Sequence, residues 1–341
     1  MSERKTRTWL IVAAIIIVLI IGIGIGYLAM QLTAPPPPPP TPKVLRLAMI
    51  LPGRIDDTSW NQAGYESLMR VKGKLGPEIE IAWVEGVYDP ADIVPALRSY
   101  AEKGYDLIIG HGFQFAEPIT KTVAPEYPKV SFLAIAGWGA GPNSHYADVR
   151  TDQTGYLFGY LAAKMTKTGK IGYIAGLEVA ELARFAKGYV KGAKAVNPNI
   201  DIRVVYVGDF HDVSGAKETA ISMANAGVDV IATMGDGVQL GAILGCKEKG
   251  VYIIGSATDI STLAPDLVLT SGMWYWDAVI EEWINDYKAG ILGGKAYWAD
   301  LKNGGLRVKL PLNPVVPEDV QKEFLELQEK IIKGEIDTGG P

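Results

Sequence analysis

The chain contains few of the residues on which catalytic and metal chemistry usually depends. It has one cysteine, Cys246, and three histidines, His111, His145 and His211, among 341 residues. A single cysteine excludes an intrachain disulfide, and the histidines do not have the HxxxH or HExxH spacing of zinc sites. The sequence also has neither a GxxxxGK[ST] phosphate loop nor a GxSxG nucleophile elbow. We therefore predict no catalytic residue, no metal site and no cofactor.

The charge balance excludes another class of function. With 33 basic and 38 acidic residues, the net charge is −5, which leaves no electrostatic footprint for nucleic acid. Since 48% of the residues are hydrophobic, the chain is expected to fold, and its length allows two domains.

The N-terminal segment differs in composition from the rest of the chain. Three basic residues, Arg4, Lys5 and Arg7, precede an apolar run over 9–30, which as a helix spans roughly 33 Å. We predict a transmembrane anchor over 1–31, single-pass in the cell membrane, with the rest of the chain outside the cytoplasm. A cleaved signal peptide is the alternative. Residues 32–42 include six consecutive prolines and predict a stiff linker.

From Lys43 onward, apolar strands alternate with amphipathic helices. The predicted strands include "KVLRLAMIL", "EIEIAWVEGV", "YDLIIGHG" and "KVSFLAIAG", and then "KIGYIAG", "IDIRVVYVGD", "VDVIATMGD" and "VYIIGSATD". This alternation favours parallel, doubly wound sheets, and its restart near residue 150 indicates two Rossmann-like α/β lobes.

Ligands of such sheets bind beyond the carboxyl ends of the strands. The turns at those ends carry four aromatic residues, Trp60, Phe113, Trp138 and Phe210, together with Asp57, Asp236 and Asp259. They predict an aromatic cleft with acidic edges. His111 and His211 also follow strands, where either a ligand contact or a surface role is open. At least one of the adjacent Asp56 and Asp57 is expected to cap a helix.

The motifs resemble those of a known family. "DDTSWNQAGYESL", "YDLIIGHGFQF", "RFAKGYVKGAKAVNPN", "GVYIIGSATDIS" and "LTSGMWYWDAVIEEW" are similar to segments of the basic membrane protein family of solute-binding lipoproteins, which includes purine nucleoside receptors of ABC importers. The resemblance covers nearly everything after the prolines. It implies a type I periplasmic-binding-protein-like fold that closes on a ligand around a three-stranded hinge.

By that resemblance, the first lobe holds residues 43–148 plus about 275–292. The second lobe holds 149–270 plus about 296–335. The protein is then expected to be a monomer that delivers its ligand to an ABC permease in the membrane.

The resemblance also implies roles for individual residues. Family members hold a purine between two aromatic rings, and Trp60 and Phe210 fall at those places. Asp236 and Asp259 are then candidates for hydrogen bonds to an exocyclic amine or a ribose, with Asn61 and Ser59 as further candidates. Ala257 stands where nucleoside receptors of the family have an aspartate that binds ribose. Trp274 is similar to a residue of another branch of the family, whose members can bind a free purine base.

We therefore expect a purine nucleoside or base, adenosine or adenine first. Two alternatives stay open, a membrane-tethered ligand sensor and a nucleoside-acting hydrolase.

Overall fold

The computed structural model describes residues 2–33 and 43–341 of the chain. The predicted linker, 32–42, therefore lies almost entirely outside the described residues. Helix α1 (Ser2–Thr33) falls in one compact unit and residues 44–341 form another, the body. Within α1, the segment Arg7–Met30 has a mean hydropathy of 3.0 and is not buried against protein. Its length and composition suit both predicted roles, a membrane anchor and a signal peptide.

The described part of the body has twelve strands. They are β1 (Leu45–Ile50), β2 (Ile79–Val84), β3 (Leu107–His111), β4 (Ser131–Ile135), β5 (Ser144–Val149), β6 (Lys170–Ala175), β7 (Asp201–Tyr206), β8 (Val230–Met234), β9 (Tyr252–Gly255), β10 (Val268–Trp274), β11 (Ala296–Ala299) and β12 (Leu306–Val308).

Helices connect most of these strands. They are α2 (Trp60–Leu75), α3 (Pro90–Glu102), α4 (Ala124–Glu126), α5 (Thr151–Met165), α6 (Ala180–Val196), α7 (Val213–Asn225), α8 (Asp236–Lys249), α9 (Asp277–Lys288) and α10 (Glu318–Ile332). The Asp-Pro signal before α3 acts as predicted, because the Asp89 side chain accepts a hydrogen bond from the backbone N–H of Ala91.

The strands form two six-stranded sheets. The first has the order β11-β5-β4-β3-β1-β2 and the second β12-β10-β9-β8-β6-β7. All neighbouring strands are parallel except β10 and β12. Strands β3, β4 and β8 are buried along their whole length, as expected where helices cover both faces of a sheet. The predicted fold class, two doubly wound α/β lobes, is confirmed.

Strand order places the ligand crevice of each sheet. In the first sheet the chain leaves β1 for β2 on one side and then crosses to β3 on the other. In the second sheet it does the same from β6 to β7 and then to β8. The crevice of a doubly wound sheet lies at this reversal, beyond the carboxyl ends of the strands. A ligand is therefore expected at the loops after β1, β3, β6 and β8.

The chain passes between the two sheets three times, from β5 to α5, from β10 to α9 and from β11 to β12. One expected boundary needs correction. The resemblance assigns about 296–335 to the second lobe, but β11 pairs in parallel with β5 and is an edge strand of the first sheet. The last crossing therefore follows this strand. The other lobe boundaries stay predictions.

Helices α5 and α6 touch through their backbones. Four glycines lie at this crossing, Gly155, Gly159, Gly188 and Gly192. A Cβ on Gly159 would lie 2.0 Å from the carbonyl oxygen of Tyr189, and one on Gly192 would lie 2.0 Å from that of Tyr156. No side chain fits at these distances, so glycine alone permits the approach. Because α6 begins beside the crevice, this packing also fixes one wall of the second lobe.

We expect Gly159→Ala to lower the free energy of unfolding by about 1–3 kcal/mol or more, because the added methyl group forces the two helices apart. Gly73→Ala is the matched control. Gly73 lies in α2, and a Cβ there meets nothing within 4 Å, so alanine should raise stability by up to about 1 kcal/mol. Denaturant unfolding of the two variants measures whether the free energy of unfolding falls in Gly159→Ala and rises in Gly73→Ala. Equal effects would contradict the backbone contact between α5 and α6.

Candidate ligand-binding site

A cavity lies between the two sheets at the predicted crevices. The empty space between its walls measures about 560 Å³, part of which is open to solvent. Most of its lining residues are apolar or aromatic, and they come from both lobes. They are Pro52, Ser59, Trp60, Tyr88, Gly112, Phe113, Gln114 and Trp274, with Glu181, Leu182, Phe210, His211, Met234, Gly235 and Asp236. We call this space the base cavity.

Six of the ten predicted site residues line the base cavity: Ser59, Trp60, Phe113, Phe210, Asp236 and Trp274. The other four, Asp57, Asn61, Trp138 and Asp259, do not. Their contact with a ligand stays a prediction.

Asp57 and Asn61 build the loop that carries Trp60. The Asp57 carboxylate accepts hydrogen bonds from the backbone N–H groups of Ser59, Asn61 and Gln62 at 2.8–3.0 Å. It also accepts one from Nδ2 of Asn61 at 2.7 Å, while Oδ1 of Asn61 accepts from the N–H of Gly53. Asp57 is thus the helix cap that the sequence allowed for, and Asn61 is committed to the same loop.

Trp60 is held rigidly as the first residue of α2. Its indole stacks on His111 at a centroid distance of 4.3 Å, and Trp274 and Trp276 meet it edge-on at 5.4 and 5.6 Å. Trp60 Nε1 donates to the carbonyl of His111, and Nε2 of His111 donates to the carbonyl of Trp60. A fixed aromatic ring loses little further entropy when a ligand stacks on it.

His111 supports Trp60 from behind. Its ring is fully buried, and burial lowers its pKa to about 4, so the imidazole is neutral at physiological pH. A Cβ on Gly64 of α2 would lie 2.5 Å from Nε2 of His111, which shows how closely the helix covers the ring. The buried ring excludes the surface role that the sequence left open for this histidine, and its contacts are those of a packing residue behind Trp60.

Phe210 faces the cavity from the second lobe. A Cβ on Gly176 would lie 2.5 Å from Cδ1 of Phe210, so this glycine makes room for the ring. Phe113 of the first lobe lies 6.5 Å from Phe210, and Tyr88 meets His211 edge-on at 5.5 Å. Aromatic side chains therefore approach one another across the cleft.

Asp236 is the central polar group of the base cavity. It is the first residue of α8, directly after β8. Burial raises its pKa to about 8, with a further contribution from the charge of Asp57, although hydrogen bonds from the backbone N–H of Trp60 and from Ser59 oppose this. The raised pKa favours the protonated carboxyl, which can both donate and accept hydrogen bonds.

Asp259 lies outside the base cavity. Its carboxylate pairs with Nζ of Lys309 at 2.8 Å, and it lines a separate cavity with Gln62, Arg70 and Tyr275. Burial opposes ionisation of this carboxyl, but the hydrogen bond from Lys309 helps to give a net lowering of its pKa. A carboxylate already paired in this way is a poor candidate for holding a ligand in the base cavity.

Residues that the sequence did not single out join the lobes across the cleft. The carbonyl of Thr58 accepts hydrogen bonds from Nε2 of Gln239 at 3.0 Å and from the hydroxyl of Thr258. Oε1 of Gln239 accepts from the N–H of Ser256 at 2.7 Å, which fixes the orientation of the amide. Thr58 and Ala257 both have positive φ, 59° and 64°. Strained backbone on both sides of one contact is typical of functional positions.

Two α/β lobes with a cavity between them define a solute-binding protein. The family model described as ABC transporter substrate-binding protein PnrA-like, Bmp, matches residues 44–340. The chain belongs to this family and is an extracytoplasmic solute-binding protein of an ABC system, and the predicted family resemblance is confirmed.

Similar proteins carry different names. The transcriptional activator protein Med of Bacillus subtilis is 30% identical, over 84% of this chain and 88% of its own. A purine-binding protein of Brucella abortus is 29% identical, over 86% of this chain and 82% of its own. A solved structure, an ABC transporter solute-binding protein from Conexibacter woesei, aligns with a TM-score of 0.71 at 26% identity and covers 86% of this chain and 98% of its own.

The raised pKa of Asp236 predicts a pH-dependent stability. Between pH 4 and pH 8 the unfolded chain has lost a proton that the folded chain keeps, so a rise in pH lowers the free energy of unfolding. Asp236→Asn cannot ionise and should lose this contribution. We therefore expect the variant to gain stability relative to the wild type between pH 5 and pH 8.5, as measured by ligand-free urea unfolding. Parallel pH profiles of the free energy of unfolding would contradict the raised pKa of Asp236. The contribution of Glu181 is the same in both proteins, so it does not affect the difference between them.

Proposed function

We propose that this protein binds a purine base or nucleoside, with adenine or adenosine as the expected ligand, and delivers it to an ABC permease. The single observation that carries the proposal is the base cavity, in which Trp60 and Phe210 come from different lobes and the buried carboxyl of Asp236 lies beside them. The similarity to a purine-binding protein supports the same ligand class.

The aromatic walls suit a flat ligand. Stacking of a base on an aromatic side chain contributes roughly 1–3 kcal/mol. The cavity supplies Trp60, Phe113, Phe210 and Trp274, which is more aromatic surface than a small aliphatic or sugar ligand alone would use. Stacking does not distinguish one flat ring from another, so the polar group must do so.

Asp236 suits the N7 edge of adenine better than the N7 edge of guanine. On this edge adenine presents the N7 acceptor beside its amino donor, whereas guanine presents two acceptors, N7 and O6. A protonated carboxyl offers one donor and one acceptor, which matches adenine. Paired with the N7 edge of guanine it would leave one acceptor facing another, and an unmatched buried polar group is costly.

The cross-cleft contacts of Thr58 support a receptor that closes on its ligand. In the structure these contacts are made. We infer that an open form breaks them to admit the ligand and that ligand binding between the lobes favours the closed form. The closed form would dock on the permease as a monomer, without catalysis.

We propose that α1 is an uncleaved, single-pass anchor that keeps the receptor near its permease. The anchor would raise the effective concentration of receptor at the membrane. We expect the full chain to stay in the membrane fraction after a carbonate wash, and a chain lacking residues 1–31 to be lost from it. A wild-type chain found soluble outside the cytoplasm, with its N-terminus near residue 32, would instead show a signal peptide.

A membrane-tethered sensor is the second candidate, and the observation in its favour is the relative named as a transcriptional activator. Measurement of purine uptake by cells distinguishes an import receptor from a sensor. A receptor for import predicts that deletion of the gene abolishes high-affinity uptake, whereas a sensor predicts unchanged uptake and altered transcription.

We expect Trp60→Ala and Phe210→Ala each to weaken adenine and adenosine binding by about tenfold or more, because each removes one stacking face worth roughly 1–3 kcal/mol. Isothermal titration calorimetry of the full chain in detergent measures this, with guanine and ribose as further ligands. Trp83→Ala is the matched control, since Trp83 is 40% exposed and packs edge-on against Tyr65 outside the cavity.

Two results would contradict the proposal. One is a wild-type chain that binds no purine. The other is unchanged affinity in both Trp60→Ala and Phe210→Ala, which would place the ligand elsewhere.

A further inference from the structure

One ion pair joins the two lobes beside the first crossing of the chain. Arg184 lies on α6 of the second lobe, and Asp148 lies near the end of β5 of the first. Nη2 of Arg184 donates to Oδ2 of Asp148, and Nη1 donates to the carbonyl of Val149, each at 2.6 Å. The ring of Trp298, on β11 of the first sheet, lies 5.2 Å from the guanidinium carbon. All three of these contacts connect Arg184 to the first lobe.

The ion pair is shielded from water. The side chains of Arg184 and Asp148 are only 14% and 11% exposed. Loss of one partner from a buried ion pair is strongly destabilising, because the other charge is left without compensation. Separation of the lobes would take Asp148 away from Arg184, so the guanidinium needs another partner in an open form.

A second carboxyl group can supply that partner. Glu181 precedes Arg184 by three residues on α6, the spacing at which side chains of a helix pair with one another. Glu181 is only 6% exposed, and no residue that the structure describes forms an ion pair with it. Glu181 and Asp148 line the same space between the lobes, whose walls also include Phe113 and Trp138. The structure therefore holds Arg184 on Asp148 and leaves Glu181 without a cation.

The charged and titratable groups that act on Glu181 come from both lobes. They are Asp148, Tyr173, Arg184, His211 and Asp236. Burial has the largest effect on the Glu181 carboxyl and raises its pKa to about 7. Asp148 adds to this rise, whereas Arg184 and a hydrogen bond from the backbone N–H of Glu181 itself oppose it. With the lobes apart, water and Arg184 would both favour the ionised carboxylate.

We propose that Arg184 exchanges carboxylate partners as the receptor closes, pairing with Glu181 in the open form and with Asp148 in the closed form, so that Glu181 takes up a proton on closing. The proton comes from solvent and returns to it on opening. This inference rests on the proposed closing receptor and goes beyond it. It makes Arg184, which does not line the base cavity, a positioning residue for closing, and it makes closing dependent on pH.

The exchange fixes the sign of the pH dependence. Between about pH 4.5 and pH 7, the closed form keeps a proton on Glu181 that the open form has lost, so a rise in pH favours the open form. Above pH 7 both forms carry the carboxylate, and the effect levels off. From pH 5.5 to pH 8, Glu181 alone should lower the ratio of closed to open receptor by about tenfold or more. Asp236 acts in the same direction, so a variant of Glu181 separates the two.

Distances between two spin labels, measured by electron paramagnetic resonance, report the closed and open populations without a ligand. The labels are attached to Asp92→Cys in α3 of the first lobe and Ser214→Cys in α7 of the second. Both positions are exposed and lie on helices that follow the edge strands β2 and β7, away from the crossings. The native Cys246 is fully buried, so the labels react with the introduced cysteines. The full chain is measured in detergent.

At pH 8 the two carboxyl variants should act in opposite directions. Glu181→Gln removes the carboxylate that holds Arg184 in the open form, so the ratio of closed to open receptor should rise about tenfold or more. Asp148→Asn removes the closed-form partner, so the ratio should fall by a similar factor of about ten. Both replacements keep the size of the side chain. Glu181→Gln should also lose the Glu181 share of the pH dependence.

Two arginine variants complete the set. Arg184→Gln should lower the ratio at both pH 5.5 and pH 8, because the buried closed-form pair is worth more than an exposed open-form pair. Arg98→Gln is the matched control. Arg98 pairs with Glu126 inside the first lobe, with both side chains about two-fifths exposed, so this variant should match the wild type.

The outcomes separate this inference from the proposed function. Carboxyl variants that act in the same direction, a Glu181→Gln variant that matches the wild type at both pH values, or a single label distance in every protein would overturn the partner exchange. If adenine or adenosine still closes the wild type, the purine receptor stands. Opposite effects of Glu181→Gln and Asp148→Asn, together with no effect of either purine, would support the exchange and contradict the purine function.

Discussion

The hydrogen bonds that cross the cleft at the carbonyl of Thr58 are the constraint on which the site depends. Thr58 belongs to the loop that precedes α2, and its carbonyl oxygen is held by Gln239 and Thr258 of the second lobe. These contacts lie between the two lobes beside the base cavity, whose lining comes from both lobes. The strained φ angles of Thr58 and Ala257 are consistent with a contact that is made in one state and released in another.

Closure also sets the electrostatics of the cavity. Asp236 and Glu181 lie on the second lobe, and they lose water when the first lobe covers them. Burial raises the pKa of both carboxyl groups, which lowers the negative charge that they bring to the cavity. Such a lining suits a neutral, flat, polar molecule. On the first-lobe side of the cavity, His111 and Trp276 pack against Trp60 and hold its ring in place.

Much of the fold follows from the sequence, because eight of the strands are apolar runs bounded by turn residues. Strands β5, β10, β11 and β12 are not among these eight, since "SHYADV" and "VLTSGMW" contain polar residues inside the strand and the last two have three or four residues. In the site, Trp60, Phe210 and Asp236 were found because they directly follow strands. Gln239 and Glu181 were missed because they lie inside helical patterns. For Asp57 the sequence leaves both roles open, because a capping carboxylate and a ligand contact look alike in a sequence, and the structure shows the cap.

The central claim is that a purine lies between the two lobes, and a crystal structure of the chain grown with adenosine tests it most directly. The account predicts density for the base between Trp60 and Phe210, with its amino edge at Asp236 and the Thr58 contacts intact. A base bound outside this cavity, or bound in a form whose lobes stay apart, would contradict it.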